Sequence, residues 1–316
     1  MPNSIDFNPF LWHSRQLHEL LKNAQSADNP ALYLYQKGAR NIVFMLEGLT
    51  RIHKNAFEDE NMDKWYDRFK KIEDLFGQID YLDAFKKQFE TDQVLDEKAI
   101  AELGRKTAIP IAELNQLLEE KEWFKDKLLK FDAFIESCGF RYDQSYTACI
   151  SAAYSEEIQK IEDFAKAIHF EIKELEIELH ELRRRLRWLS IYPQAFRGLF
   201  QLKRGNTDPV WSKKYMTEKI VNSPFNQLPP PVENLPAIYL DYHCFIALSF
   251  MIQEYGGLKD QGLQSFVLAD ELSLSESETE KVLRDKYVSE KVILTKATAL
   301  LKAFFKDNIL QNLVQN

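Results

Sequence analysis

The segment from Ser145 to Tyr192 contains neither glycine nor proline, and this constrains the fold more than any other feature of the chain. The two residues that most often interrupt helices are scarce overall, with 10 Gly and 11 Pro in 316 residues. Apolar residues recur at helical spacing, and no useful length of sequence alternates with a period of two. We therefore expect an all-α protein with one long central helix over about 145–192, which ends or kinks at Pro193.

Breaks in the apolar pattern divide the rest of the chain. Pro30 follows a polar turn and is typical of a helix start, and Ser275 with Glu278 resembles a capping box. Residues 205–237 concentrate proline and predict a long connection, and Gly256-Gly257 predicts another break. Helices are expected at about residues 4–24, 30–57, 62–90, 96–105, 109–134, 237–255 and 275–308.

Composition narrows the class of protein. The formal charge is −8, from 49 acidic and 41 basic residues, which makes a nucleic-acid partner unlikely and requires any anion site to be a local patch. The chain has 3 cysteines without the close spacing of a disulfide framework or a zinc site. Neither a secretory signal nor a membrane-spanning apolar stretch is visible. We expect a cytoplasmic protein with no membrane partner.

The run from His180 to Trp188 carries the clearest functional signal. At 100° per residue, a helix places His180, Arg183, Arg184 and Arg187 together. The opposite face is apolar and consists of Leu175, Leu179, Leu182, Leu186 and Leu189. Clustered guanidiniums suit a phosphate-rich ligand, since the planar fork donates bidentately and keeps its charge.

A second interpretation of the same helix remains open. Glu181 lies three and four residues before Arg184 and Arg185, and Glu176 lies four before His180. Such spacings form ion pairs on exposed helices, each contributing about 0.2–0.5 kcal/mol. A self-paired, solvated helix face would give the same composition.

The pattern His180-x-x-Arg183-x-x-x-Arg187, with leucines between, resembles the signature helix of the CHAD family, the conserved-histidine α-helical domains. The segment 252–260, which contains Gly256-Gly257 and Asp260, is similar to the family's second glycine segment. Residues 75–83, with Gly77 and Asp83, are similar to the first. The resemblance implies one domain over 1–316, made of two related antiparallel helical-bundle halves at about 1–140 and 141–316. It also implies inorganic polyphosphate bound along a basic channel between the halves.

The first half departs from the family pattern. Tyr33 stands where the family has its histidine and Gln36 where it has an arginine, whereas Arg40 occupies the second arginine position with Lys37 nearby. The resemblance thus identifies the chain as a degenerate CHAD-like protein. It adds Lys37 and Arg40 to the four residues of the His180 helix as polyanion ligands.

Catalytic signatures are missing from the sequence. Neither the His-x-x-x-His nor the Glu-x-x-His arrangement of helical metal sites occurs, and no phosphate-binding glycine loop or nucleophile elbow is present. We therefore expect no catalytic residue, metal or cofactor. The sequence predicts non-enzymatic binding of a polyanion, inorganic polyphosphate foremost. The alternative is a degenerate helical scaffold for protein–protein interaction with no small ligand.

Overall fold

The computed structural model describes residues 8–233 and 235–315, and this part of the chain is predominantly α-helical. Its α-helices are α1 Pro9–Ala24, α2 Pro30–Gln36, α3 Ala39–Phe57, α4 Glu60–Asp92, α5 Glu97–Glu120, α6 Lys127–Ser137, α7 Gln144–Ala167, α8 Glu181–Ala195, α9 Glu218–Val221, α10 Tyr242–Phe266, α11 Glu276–Leu283 and α12 Glu290–Lys306. The prediction of an all-α class is confirmed. The first part of the helix expected from Ser4 lies outside the described residues.

Short polar residues begin many of these helices. The side chains of Asn8, Asn29 and Asp59 accept hydrogen bonds from free backbone N–H groups at the starts of α1, α2 and α4. Pro30 occupies the first position of α2, as predicted. Ser275 and Glu278 form the expected capping box at α11.

The predicted helix over 145–192 is wrong, because the chain breaks it between Ala167 and Leu175. His169 and Phe170 adopt left-handed backbone angles, with φ of 52° and 55°. The break is held from outside the segment: Ile172 N–H donates to Thr298 Oγ1 at 2.9 Å, and the rings of Phe170 and Phe305 lie 5.2 Å apart. Contacts with α12 therefore interrupt a sequence that lacks any local breaker. A π-helical turn at Leu175–His180 then leads into α8.

Other boundaries also differ from the predictions. The expected helix over 30–57 divides at Gly38, which takes a φ of 74°. The helix break that was expected at Gly256-Gly257 does not occur, because α10 continues through both residues. Helix α5 runs from Glu97 through Pro110 in place of the two helices expected there.

Two short strands interrupt the all-helical pattern, and neither was predicted. Strand β1 is Phe200–Lys203 and β2 is Ile238–Asp241, and they pair in parallel with Phe200 opposite Ile238. Val314 adds an antiparallel bridge to Leu240, so the C-terminal segment extends this small sheet. Strand β1 does alternate apolar and polar residues, but four residues are the shortest run in which alternation indicates a strand, and β2 does not alternate.

Helix α3 lies in the middle of the main core. It packs against α1, α4, α7 and α8, while α10 packs against α8 and α12. A smaller apolar cluster joins the far ends of α4 and α10 and includes Phe89, Leu103 and Leu263. The arrangement places one face of α3 against one face of α8. The division proposed near residue 140 falls between α6 and α7, and a relation between two halves stays a prediction.

The structure adds one observation on membranes. Among residues 8–233 and 235–315, the helices lack the combination of length and apolar character that crossing a bilayer requires.

Two glycines give opposite predictions for alanine substitution. Gly38→Ala is expected to lower the free energy of unfolding by about 1 kcal/mol, because a Cβ is disfavoured at positive φ. Gly257→Ala is expected to raise it by about 0.5–1 kcal/mol, because Gly257 lies exposed within α10 with open space around its Cα. Urea denaturation followed by circular dichroism measures both changes. A change in the free energy of unfolding of the same sign in both variants would contradict the left-handed backbone at Gly38 or the helical backbone at Gly257.

Candidate functional site

Three of the arginines singled out in the sequence come together where α3 meets α8. Arg40 extends from α3, and Arg183 and Arg187 extend from α8. Arg187 lies close enough to both others that their positive charges lower its pKa, adding to the effect of burial. Positions far apart in sequence thus form one guanidinium cluster, defined here as Arg40, Arg183 and Arg187.

Arg187 is a half-buried member of the guanidinium cluster whose main contact is aromatic. Its guanidinium carbon lies 4.5 Å from the centre of the Phe44 ring, in a cation–π contact. No carboxylate of the described residues lies within ion-pair distance of it. Burial, with the nearby Arg183 and Arg40 guanidiniums, lowers the pKa of Arg187 to about 10, and the charges of Glu73 and Asp80, which lie beyond ion-pair distance, oppose this only in part. The side chain stays charged at neutral pH but lacks the direct carboxylate contact that a buried cation usually has.

Arg183 is in a similar position. Its Nε donates to the backbone carbonyl of Ile252 at 3.4 Å, and within the described ranges it has no carboxylate in ion-pair contact. Burial lowers its pKa, Asp260 opposes that effect, and Arg40 adds to it. Two adjacent guanidiniums on α8 are therefore partly buried and unpaired.

Arg40 differs, because carboxylates hold it. Its Nε and Nη2 donate to Glu73 Oε1 at 3.0 and 2.9 Å, and its Nη1 donates to Asp80. Both carboxylates belong to α4, so the pairs fix Arg40 in place beside α8. Arg40 therefore contributes less unbalanced charge than Arg183 and Arg187.

Arg40 and Arg183 have matching surroundings. A Cβ added to Gly77 on α4 would lie 3.3 Å from Arg40 Nη2, and one added to Gly256 on α10 would lie 3.2 Å from Arg183 Nε. In both cases an arginine crosses the backbone of a neighbouring helix at a glycine. Those two glycines belong to the segments 75–83 and 252–260, which resemble the two glycine segments of the CHAD family.

Lys259 belongs with the guanidinium cluster, and sequence analysis did not select it. It lies on α10 three residues after Gly256, and its side chain is only 16% exposed. Burial lowers its pKa, Asp260 opposes this effect, and Arg183 adds to it. Its position in the segment 252–260, already singled out for Gly256, was the signal that could have identified it.

The remaining predicted residues lie outside the guanidinium cluster. His180 Nδ1 lies 3.0 Å from Glu176 Oε2, and Arg184 forms an ion pair of 2.7 Å with Glu181. Arg185 binds the same Glu181 at 2.6 Å. Lys37 is exposed, with its Nζ 5.8 Å from the Tyr33 ring centre. Arg40, Arg183 and Arg187 act on one another's charge, whereas His180 and Arg184 have carboxylate partners of their own and Lys37 is exposed.

Carboxylates border the guanidinium cluster on the α4 side. The hydroxyl of Tyr35 lies 3.2 Å from Asp80 Oδ1 and 3.0 Å from Asp83 Oδ2, and can donate its proton to one of them at a time. Lys87 forms an ion pair with Asp83 at 2.6 Å. The basic surface is thus short and ends at acidic residues.

Glu47 lies further along the same helix as Arg40 and has an unusual environment. Its side chain is buried, and its Oε2 has no hydrogen-bond partner among the described residues. Burial, reinforced by the charge of Glu73, raises its pKa to about 8. Glu47 is therefore largely neutral at pH 7 and does not cancel the positive charge of its neighbours.

Beyond Glu47, a fully paired arginine completes this face of α3. Arg51 Nη2 binds Glu157 Oε2 at 2.8 Å, its Nη1 donates to the Tyr192 hydroxyl at 2.5 Å, and its guanidinium stacks over Trp188. It is buried as Arg187 is, but it has a carboxylate. Arg51 therefore shows how a buried arginine is paired in this protein, and it serves as the control for Arg183 and Arg187.

Two surface cavities lie elsewhere. One of about 390 Å³ is lined by α10 and α12 around Leu258 and Lys296, and one of about 520 Å³ lies between Ile172 and Leu294. The guanidinium cluster is part of neither. Within the part of the chain that the structure describes, no three His, Cys, Asp or Glu side chains gather as metal ligands would.

Comparison of the chain with protein-family models, with curated protein sequences and with solved structures found no match in any of the three. The resemblance of the His180 helix to the CHAD family stays a prediction.

Replacing Arg187 tests whether its charge is uncompensated. Arg187→Met keeps most of the side-chain volume and is expected to raise the free energy of unfolding by about 1 kcal/mol, because it removes a partly buried unpaired charge. Arg51→Met is the control and is expected to lower it by roughly 2 kcal/mol, because Glu157 loses its partner. Chemical denaturation measures both. Destabilisation by Arg187→Met as large as that by Arg51→Met would show that Arg187 is compensated after all.

The buried carboxyl of Glu47 predicts a pH-dependent stability. Its pKa is higher in the folded protein, about 8, than its ordinary value of 4.5, so its contribution is complete below pH 4.5 and is lost as pH rises through 8. Glu47→Gln, which cannot ionise, should match the unsubstituted protein near pH 5 and be more stable near pH 9. Thermal unfolding at the two pH values measures the difference. A difference that does not change with pH would rule out a raised pKa.

Proposed function

We propose that this protein binds a polyanion, inorganic polyphosphate foremost, at the guanidinium cluster, without catalysing a reaction. The observation that carries the proposal is the pair Arg183 and Arg187, which are partly buried and have no carboxylate in ion-pair contact among the described residues. An unpaired charge is costly to bury, and a bound anion would supply the missing partner. Phosphate oxygens suit this role because guanidiniums bind them through paired, charge-assisted hydrogen bonds.

The residues have different parts in the proposal. Arg183 and Arg187 contact the ligand, Lys259 adds charge from α10, and Arg40 completes the cluster from α3. Lys37 is exposed, and His180 and Arg184 already pair with Glu176 and Glu181, so in this proposal these three contribute only to the long-range attraction of the anion. The matching Arg40–Gly77 and Arg183–Gly256 contacts support the further proposal that the chain consists of two related, CHAD-like halves. Unpaired cysteines at 138, 149 and 244 are in keeping with the proposed cytoplasmic location.

One observation favours the alternative, a helical scaffold that binds proteins and no small ligand. On the outer face of α8, Glu181 pairs with both Arg184 and Arg185, and Glu176 pairs with His180. These pairs leave little free positive charge on that face. A scaffold role gives no reason, however, for keeping Arg183 and Arg187 partly buried without partners.

A pair of double variants tests polyanion binding. Arg183→Gln with Arg187→Gln should weaken the binding of polyphosphate by at least about tenfold, because each lost charge-assisted contact is worth roughly 1.5–3 kcal/mol. Arg184→Gln with Arg185→Gln removes the same charge from the paired face and should change binding much less. Filter binding at two salt concentrations gives the affinities, and binding should weaken at the higher salt.

Two results would refute the proposal. Wild-type protein that does not retain polyphosphate at low salt would leave the scaffold alternative. Equal losses in the two double variants would mean that only the overall charge of α8 matters. Circular dichroism of each variant establishes that the helices are intact.

A further inference from the structure

The positive charge that lacks a partner is confined to a small area, and this limits what the site can hold. Arg183 and Arg187 are the two unpaired guanidiniums of the cluster. Arg40 already shares its charge with Glu73 and Asp80, and Lys259 lies 3.6 Å from Asp260. The cluster therefore offers about two uncompensated charges, which is few for a long polyanion.

The hydrogen-bond donors are limited in the same way. Arg40 uses its Nε and one N–H of each terminal nitrogen on carboxylates. Arg183 directs its Nε to the carbonyl of Ile252, and the face of Arg187 covers the Phe44 ring. The free donors that remain are mainly N–H groups of Arg183 and Arg187, which lie one turn apart on α8, a spacing at which two side chains can contact the same small group.

Acidic side chains stand on two sides of this small area. Asp80 and Asp83 lie on the α4 side, and Asp80 is half exposed. Asp260 and Glu176 act on Lys259 on the α10 side, and Asp260 is 62% exposed. These carboxylates already pair with Arg40, Lys87, Lys259 and His180. A chain of phosphates that continued past the cluster in either direction would therefore meet no unpaired positive charge among these pairs, and extra phosphates beyond the first add little affinity.

The chemistry of phosphates distinguishes the end of a chain from its middle. A terminal phosphoryl group has three non-bridging oxygens and a charge of about −1.5 to −2 at pH 7. An internal phosphate has two non-bridging oxygens and a single charge. The terminal group therefore matches two uncompensated guanidiniums in both charge and number of acceptors.

We propose that the guanidinium cluster recognises one terminal phosphoryl group, between Arg183 and Arg187, and does not hold the interior of a polyphosphate chain. This inference rests on the proposed anion binding and specifies its ligand. The same chemistry occurs at the end of linear polyphosphate and in a phosphate monoester.

Comparing a linear with a cyclic phosphate tests whether the protein recognises the end of a phosphate chain or its interior. Cyclic hexametaphosphate carries more negative charge than linear tripolyphosphate but has no terminal phosphoryl group. The full chain is titrated with each compound by isothermal titration calorimetry at one moderate salt concentration. We expect tripolyphosphate to bind at least about tenfold more tightly, a difference of one or two charge-assisted hydrogen bonds.

The outcomes distinguish this inference from the proposed function. Cyclic hexametaphosphate that binds as tightly as tripolyphosphate, with both lost in the Arg183→Gln, Arg187→Gln variant, would leave polyanion binding intact and overturn recognition of the end. Failure of both compounds to bind would overturn both proposals. Phenyl phosphate, a monoester, tests which kind of molecule carries the terminal phosphoryl group. If it binds as tightly as tripolyphosphate, the ligand is a phosphate monoester. If it binds more weakly, the ligand is the end of an inorganic chain.

Discussion

The contact between α3 and α8 is the interaction on which the rest of this structure depends. Phe44 stacks on Trp188 with ring centres 4.7 Å apart, and apolar residues of both helices lie in the main core. The same contact holds polar groups at both of its ends. At one end Arg187 covers Phe44, and at the other Arg51 reaches Glu157 on α7. Burial of the aromatic pair thus brings charged groups into a region that water only partly reaches.

The arginines at the two ends of this contact differ in whether a carboxylate compensates their charge. Arg51 has a carboxylate, a tyrosine hydroxyl and an aromatic face, so its charge is compensated within the protein. Arg183 and Arg187 have a backbone carbonyl and an aromatic face but no carboxylate in contact among the described residues. Since a protein interior usually pairs its charges, the second arrangement is the one on which the proposal of a bound anion rests. The sequence by itself gives the three arginines no such distinction.

Sequence reasoning succeeded where local chemistry decides the structure. Pro30 and the Ser275–Glu278 box begin helices because their capping geometry is local, and scarce glycine and proline correctly indicated the helical class. It failed where distant residues decide. His169 and Phe170 take left-handed angles because α12 holds the segment. Helix α10 continues through Gly256-Gly257 because Tyr255, Gly256 and Leu258 are buried in the packed structure, although Gly257 itself is exposed.

The candidate site also combines features set by the local sequence with features set by distant residues. The amino-acid sequence determined that α8 has leucines on one face and arginines on another, because helical periodicity alone fixes which residues share a face. It could not determine which arginines face a carboxylate. The one exception is local: the spacing of three residues already offered Glu181 as a partner of Arg184. Only the tertiary structure decided that Arg40 is held by α4 and that Arg183 and Arg187 have no carboxylate in ion-pair contact. The reason is physical: the charge balance of a partly buried group depends on the helices packed against it, and those come from distant parts of the chain.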